Sequence, residues 1–257
     1  MSEIRAFLRE VAAAAAAETL PRFRQPGEVA NKLAAGFDPV TEADREAERA
    51  IRALIESRYP GHGILGEEFG TVRAEAAHQW VIDPIDGTRA FISGLPLWGT
   101  LVGLKRDGRA IAGMMAQPFT GEIFMADEQG ASYEGPGGTR RLATRATTRL
   151  ADATVCTTTP ALFSTAGRAA YDRLEGRARL ARYGTDCYAY CMLAAGHVDL
   201  VVETGLQPYD IVALIPIIER AGGVVTRFDG GPAETAGDIV AAANAELHKA
   251  ALDVLNG

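Results

Sequence analysis

The chain has few of the residues that would mark several common kinds of protein. Its three cysteines, Cys156, Cys187 and Cys191, form no CxxC pair and are odd in number, so neither a disulfide framework nor a thiolate zinc site is expected. They read as free thiols of a reducing compartment. The four histidines, His62, His78, His197 and His248, stand singly, which argues against a His-rich zinc centre and against a His-based nucleophile relay. Basic residues are outnumbered, 26 against 33 acidic ones, and a net charge of −7 leaves no expected basic face for nucleic acid or for an anionic membrane. Long apolar runs are missing too. Residues 11–17 fall far short of a bilayer span and lie among Glu3, Glu10 and Glu18. With no targeting or membrane segment in view, the cytoplasm is the default location and a small molecule the expected partner.

What is present is a core. Of the 257 residues, 47% are hydrophobic, enough for one large domain or two intimately packed halves. Residues 2–20 form an Ala-rich helix that Pro21 stops. A loop carrying Lys32 and Asp38-Pro39 follows, and Thr41-Glu-Ala-Asp44 resembles a capping box ahead of a second helix with the apolar stripe Ala43, Ala47, Ala50, Ile51, Leu54, Ile55. From there the pattern turns to β. Residues 80–83 read as a short buried strand, and residues 98–105 and 110–117 flank the turn signal Asp107-Gly108 as a hairpin. Residues 122–126 and 131–134 extend an antiparallel sheet as far as the Gly-rich stretch Gly135-Pro-Gly-Gly138.

Beyond residue 150, strands at 154–158, 199–203, 224–228 and 238–243 alternate with helices at 163–174, 187–195 and 210–220 and a last short helix. Ala221-Gly-Gly223 suits a helix C-cap, and Pro216 predicts a kink or break in the helix that contains it. The expected fold is α/β: an α+β half over 1–148 and an α/β half over 149–257.

One string carries the chemistry. In Trp80-Val-Ile-Asp-Pro-Ile-Asp-Gly-Thr-Arg-Ala-Phe91 a buried strand delivers Asp83 and Asp86 at its C-terminal end, and Pro84 keeps Asp83 extended. Two carboxylates with the carbonyl of Ile85 between them are hard oxygen ligands suited to Mg²⁺. Gly87-Thr88 then opens a helix whose N-terminal N–H groups can cradle a phosphate. The plainer alternative is an Asp-Pro-x-Asp-Gly turn.

Together with Gly66-Glu67-Glu68 and Pro208-Tyr-Asp210, which leads into Glu219-Arg-Ala-Gly-Gly223, this string resembles the inositol monophosphatase family of Mg²⁺-dependent, Li⁺-sensitive phosphatases. The resemblance runs over nearly the whole chain. It implies a layered αβαβα sandwich, a homodimer, Mg²⁺ as cofactor with Mn²⁺ as a substitute and Li⁺ as an inhibitor. Glu67, Asp83, the Ile85 carbonyl, Asp86 and Asp210 are its implied metal ligands. Thr88 and Asp44 fall on its water-activating pair, with Glu67 as an alternative base, for direct attack of an activated water without a phosphoenzyme. Other roles stay open: Asp44 as part of the helix cap, Glu67 and Glu68 as a solvated pair, Asp210 as a first-turn helix acid. The chain departs from the family in carrying Tyr209 where Trp is usual.

Gly87 and Thr88 are the expected phosphate-side contacts, and Asp186 and Glu203 the expected leaving-group contacts. Inositol-specific relatives tend to carry a small apolar residue where this chain has Asp186, and a carboxylate there suits a leaving group that bears an amine. Gly184-Thr-Asp-Cys-Tyr188 and Leu95-Pro-Leu-Trp98 look like the histidinol-phosphatase branch, so L-histidinol phosphate is the expected substrate. The alternatives are an inositol-1-monophosphatase or broad sugar-phosphate phosphatase, a 3′-phosphoadenosine-type nucleotidase, and a non-catalytic metal-binding homologue. Asp186 has its own plain alternative, as a cap on the helix that follows it.

Overall fold

The computed structural model describes residues 2–25, 29–31 and 39–257, so Lys32 and Asp38 lie outside the described residues. Two helices, α1 (Glu3–Thr19) and α2 (Glu42–Arg58), flank the small hairpin β1 (Val29–Asn31) and β2 (Pro39–Thr41). Then follow β3 (Gly63–Gly66), β4 (Gly70–Val72), β5 (His78–Asp86), the one-turn α3 (Thr88–Ile92), β6 (Gly99–Arg106), β7 (Arg109–Gln117), β8 (Glu122–Asp127), β9 (Gly130–Gly135) and β10 (Gly138–Arg141). The remainder is β11 (Thr154–Thr157), α4 (Thr165–Glu175), β12 (Leu180–Tyr183), α5 (Asp186–Ala194), β13 (Leu200–Leu206), α6 (Pro208–Ile211), α7 (Leu214–Ala221), β14 (Val224–Arg227), β15 (Gly237–Ala242) and α8 (Ala245–Asn256).

The first sheet has the strand order β10-β9-β8-β7-β6-β5-β3-β4, and the second β12-β11-β13-β15-β14. The hairpin across Asp107-Gly108 pairs as expected, Arg106 opposite Arg109. The first sheet is not wholly antiparallel, however, because β3 runs parallel to β5. The sequence reading missed β1, β2, β3, β4, β10 and β12: each has only three or four residues, too few to show an alternation.

The apolar stripes of α1 and α2 pack on one face of the first sheet, around Phe7, Leu8, Ile51, Ile55 and Trp80. On its other face, Leu101, Met115 and Phe124 share a core with Tyr190, Leu193, Ile215 and Ile239 of the second half. A third core, around Tyr171, Val202 and Leu247, lies between the second sheet and α4 and α8. Helices and sheets therefore alternate in layers, an α/β layered fold. Among the described residues no helix is long and apolar enough to cross a membrane.

The helix expected over 210–220 is divided. α6 ends at Ile211 and α7 begins at Leu214, although Val212 and Ala213 keep helical dihedrals. The break precedes Pro216 because proline offers no N–H to the carbonyl four residues back, that of Val212, and its ring crowds that carbonyl. Ala213 lies on a flat spot of the first sheet made by Gly103 and Gly113, which are register partners; a Cβ added at Gly113 would stand 2.0 Å from the Ala213 carbonyl oxygen. Gly222 closes α7 in a left-handed conformation (φ 104°), as Ala221-Gly-Gly223 predicts. His62 and His78, scattered in sequence, stack with centroids 4.8 Å apart.

Candidate active site

A strand places residues three apart on opposite faces, so Asp83 and Asp86 of a regular β5 would diverge. They do not, because β5 carries one extra residue between them. Asp83 is opposite Leu101 and Asp86 opposite Gly99, so three residues on β5 span two on β6. This bulge contains Pro84 and Ile85. Proline has no ladder donor to lose there, and the extra residue restores both carboxylates to one side. The Ile85 N–H donates to Asp83 Oδ1 at 3.0 Å and Thr100 Oγ1 donates to the Pro84 carbonyl at 2.8 Å, which fixes the bulge.

Asp210 arrives from the other half. It is in the first turn of α6, started by Pro208, and its Oδ2 accepts the Gln207 N–H at 2.7 Å. The first-turn helix role and the site role coincide. Carboxylate oxygens of Asp83, Asp86 and Asp210 lie within 4.8 Å of one another. Glu67, just beyond β3, is outside that triad but within hydrogen-bonding reach of Asp83. Its turn is held by a residue the sequence reading missed. The fully buried Glu48 on α2 accepts the N–H groups of Glu68 at 2.8 Å and Phe69 at 3.2 Å, and Arg52 Nε at 2.7 Å. A Cβ at Gly66 would overlap Glu48 Oε1, so that glycine is what lets the carboxylate approach. The available signal was a charged residue in the helical register Asp44, Glu48, Ile51, Ile55, among core positions.

The Thr88 and Asp44 pair is also brought together. Thr88 Oγ1 is 3.5 Å from Asp44 Oδ1 and 3.1 Å from the Ile85 carbonyl, which places that carbonyl beside the pair. Asp44 does close the helix cap: its Oδ2 accepts from Thr41 N at 2.8 Å and from Thr41 Oγ1 at 2.5 Å. One oxygen serves the cap and the other faces Thr88. Gly87 precedes α3 with φ 82°, and a Cβ there would lie 3.3 Å from the Asp186 Cβ.

Asp186 does not cap α5. It is the first helical residue, with φ 41°, and Thr185 occupies the cap position without a side-chain bond. The helix N-terminus is served across the interface instead, as the Cys187 N–H donates to Asp86 Oδ2 at 2.8 Å. This contact joins the α5 dipole to a carboxylate of the triad. Glu203 on β13 is buried, accepting from Thr158 N at 2.6 Å, Thr158 Oγ1 at 3.0 Å and Thr157 Oγ1 at 3.2 Å, and Thr158 Oγ1 also lies 3.3 Å from Asp186 Oδ1. The sequence reading missed both threonines, which carry no motif of their own.

Crowded acids hold protons more tightly. Burial first, then the charges of Glu67, Asp86 and Asp210, push Asp83 well above the usual carboxylate range. Burial and the Asp186 charge push Asp86 up to about 7. Burial raises Asp44 to about 6 against the opposing bonds from Thr41, and Glu203 to about 7 against those from the threonines. The donor set is all oxygen, comes from β5 and α6 and is repulsive by itself, so it fits a hard divalent cation.

A model of the inositol monophosphatase family matches residues 1–256. The chain is 40% identical over 236 residues to the chloroplastic bifunctional phosphatase IMPL2 of Arabidopsis thaliana, covering 85% of this chain and 66% of that protein. It therefore spans just under two thirds of that relative's length. It is 34% identical over 206 residues to a histidinol-phosphatase of Chlorobaculum parvum, covering 80% of this chain and 79% of that one. Among solved structures, an inositol monophosphatase from Zymomonas mobilis superposes over 100% of both chains with a TM-score of 0.89 and 38% identity.

Proposed function

Because this chain belongs to the inositol monophosphatase family, we propose that it is a Mg²⁺-dependent phosphomonoesterase that hydrolyses L-histidinol phosphate to L-histidinol and phosphate. The observation that carries the substrate choice is Asp186 against Gly87, with Glu203 behind it: two carboxylates on the leaving-group side, where an amine-bearing alcohol is favoured over a polyol. Relatives named histidinol-phosphatase support the same choice.

In this reading Asp83, Asp86, Asp210, Glu67 and the Ile85 carbonyl hold Mg²⁺, which when bound neutralises phosphoryl charge and acidifies water. The protein's own groups do the rest. The Thr88 hydroxyl accepts a hydrogen bond from the attacking water and relays the proton to Asp44 Oδ1, whose raised affinity suits it to receive one near neutrality. Thr41 keeps the other Asp44 oxygen fixed, so the acceptor does not rotate away. Gly87 and the first turn of α3 face the phosphoryl oxygens, and the Cys187 amide steadies Asp86. Residues 1–148 bring most of the ligands; residues 149–257 bring Asp210 and the leaving-group contacts. Mn²⁺ as a substitute, Li⁺ as an inhibitor, a homodimer and a cytoplasmic setting belong to the same proposal.

Initial rates of phosphate release from histidinol phosphate, inositol 1-phosphate and fructose 1,6-bisphosphate test it. Faster turnover of inositol 1-phosphate at equal concentration would overturn the substrate and favour the second reading, which the whole-chain likeness to the Zymomonas mobilis enzyme supports. No turnover of any ester would leave a metal-binding homologue.

A further inference from the structure

Resting on the Mg²⁺ reading above, we propose that Glu48 and Arg52 of α2 are positioning residues that set the affinity of the metal site by holding the turn that presents Glu67. The ligands differ in how firmly their own elements hold them. Asp83 and Asp86 end a nine-residue strand inside the first sheet, and Asp210 closes the cap of a helical turn started by Pro208. Glu67 has no such frame. It lies between the four-residue β3 and the three-residue β4, and β4 is the last strand of the sheet, with one edge unpaired.

Short strands at a sheet edge open at little cost, so a ligand on their turn is fixed only if something outside the hairpin holds it. Helix α2 does so with three side chains. Glu48 accepts from the Glu68 and Phe69 N–H groups, Arg52 donates to the Gly70 carbonyl, and the Arg49 guanidinium lies 4.9 Å from the centre of the Phe69 ring. Asp44 is one turn before Glu48 on the same face of the helix. One rigid element therefore sets where Glu67 stands relative to Asp44, and the Glu67 charge reaches that carboxyl.

Only a carboxylate serves at position 48. Three N–H groups converge on its two oxygens: Glu68 N at 2.8 Å on Oε2, and Phe69 N at 3.2 Å and Arg52 Nε at 2.7 Å on Oε1. An amide would turn its NH₂ group toward one of these donors whichever way it flipped. For stability alone a buried ion pair is a poor device, since apolar side chains of the same volume often do as well or better. Placing the turn, by contrast, requires acceptors at these two points. The consequence reaches the cation because Glu67 is within hydrogen-bonding reach of Asp83. A turn that drifts takes one carboxylate away from the cluster while the triad stays where it is, and cation binding weakens with the fold intact.

The test measures Mg²⁺ binding to the full chain by calorimetry, without substrate, beside thermal melts. Glu48→Gln should weaken Mg²⁺ binding by about tenfold or more, the usual result of losing a group that orients a metal ligand. Ile51→Val, on the same helix but within the apolar core, should lower Tm and leave Mg²⁺ affinity within about twofold of wild type. If Glu48→Gln does not fold, Arg52→Lys takes its place: the charge stays, the fork that reaches Glu48 and Gly70 together is lost, and Mg²⁺ binding should weaken by about threefold or more. Wild-type affinity in the folded Glu48 or Arg52 variant would overturn the assignment. So would an equal loss in Ile51→Val, which would trace the effect to general loosening of the helix. A wild-type chain that takes up no Mg²⁺ would instead overturn the metal reading beneath it.

Discussion

In the metal-free protein, Asp83→Asn should raise stability and abolish the response to Mg²⁺. Asp83 is buried, and its carboxyl oxygen lies within 4.8 Å of those of Asp86 and Asp210. At about that separation two unit charges repel by about 3.5 kcal/mol at an effective dielectric constant near 20. Two such pairs set a ceiling of about 7 kcal/mol, which proton uptake by the cluster reduces. Burial and the charges of Glu67, Asp86 and Asp210 hold Asp83 well above the usual carboxylate range, which favours this uptake. A net gain of about 2 kcal/mol at about pH 8 is therefore expected, equivalent to about 4–8 °C in Tm for a chain of this size. The Asn side-chain oxygen can still accept the Ile85 N–H, so the bulge should survive. Thermal melts with a chelator and then with excess Mg²⁺ decide the matter. Wild type should start lower and rise with the cation; the variant should start higher, stay there, and lose most turnover. A variant that melts lower without metal and still responds to Mg²⁺ would refute the repulsive ion site, and unchanged turnover would refute its part in catalysis.

Glu203 gives a pH signature. Its folded pKa of about 7 is above the ordinary value of 4.5, so the folded protein binds the extra proton and stability falls as pH rises across that window, by at most about 3 kcal/mol for this one group. Glu203→Gln should flatten part of the decline in chelator-treated melts between about pH 5 and 8; an unaltered slope would show that the carboxyl titrates normally. Thr88→Ala should cut kcat by about a hundredfold or more with little change in Tm, as loss of a proton relay does; a change in KM alone would move Thr88 to substrate binding. Gly113→Ala should cost about 2 kcal/mol or more because its Cβ meets the Ala213 carbonyl, and chemical denaturation that shows no loss would mean that α6 and α7 slide freely over the sheet.

Much of this was legible before any coordinates. Helix α1, the capping box at Thr41 and Asp44, the hairpin at Asp107-Gly108 and the glycine stop at Gly222 are each written in a few adjacent residues, since caps, turns and periodicity are local properties. The identities of the triad acids and of the Thr88–Asp44 pair were also legible, through their motifs.

What the sequence did not contain was geometry made by pairing. Asp83 and Asp86 are three apart, a parity that separates them on a strand, and only the register of β5 against β6 supplies the bulge that unites them. Glu48 becomes the support of the Glu67 turn only once α2 packs beside Gly66. The break between α6 and α7 lies where a helix meets two glycines on the sheet beneath it. Asp186 reads as a cap until it is seen to be the first residue of α5, whose second residue, Cys187, gives its amide to an acid 101 residues away. Residue type and short spacing thus settled which groups are available for chemistry. Strand register and layer packing, which bind residues distant in the chain, decided which of them share a site.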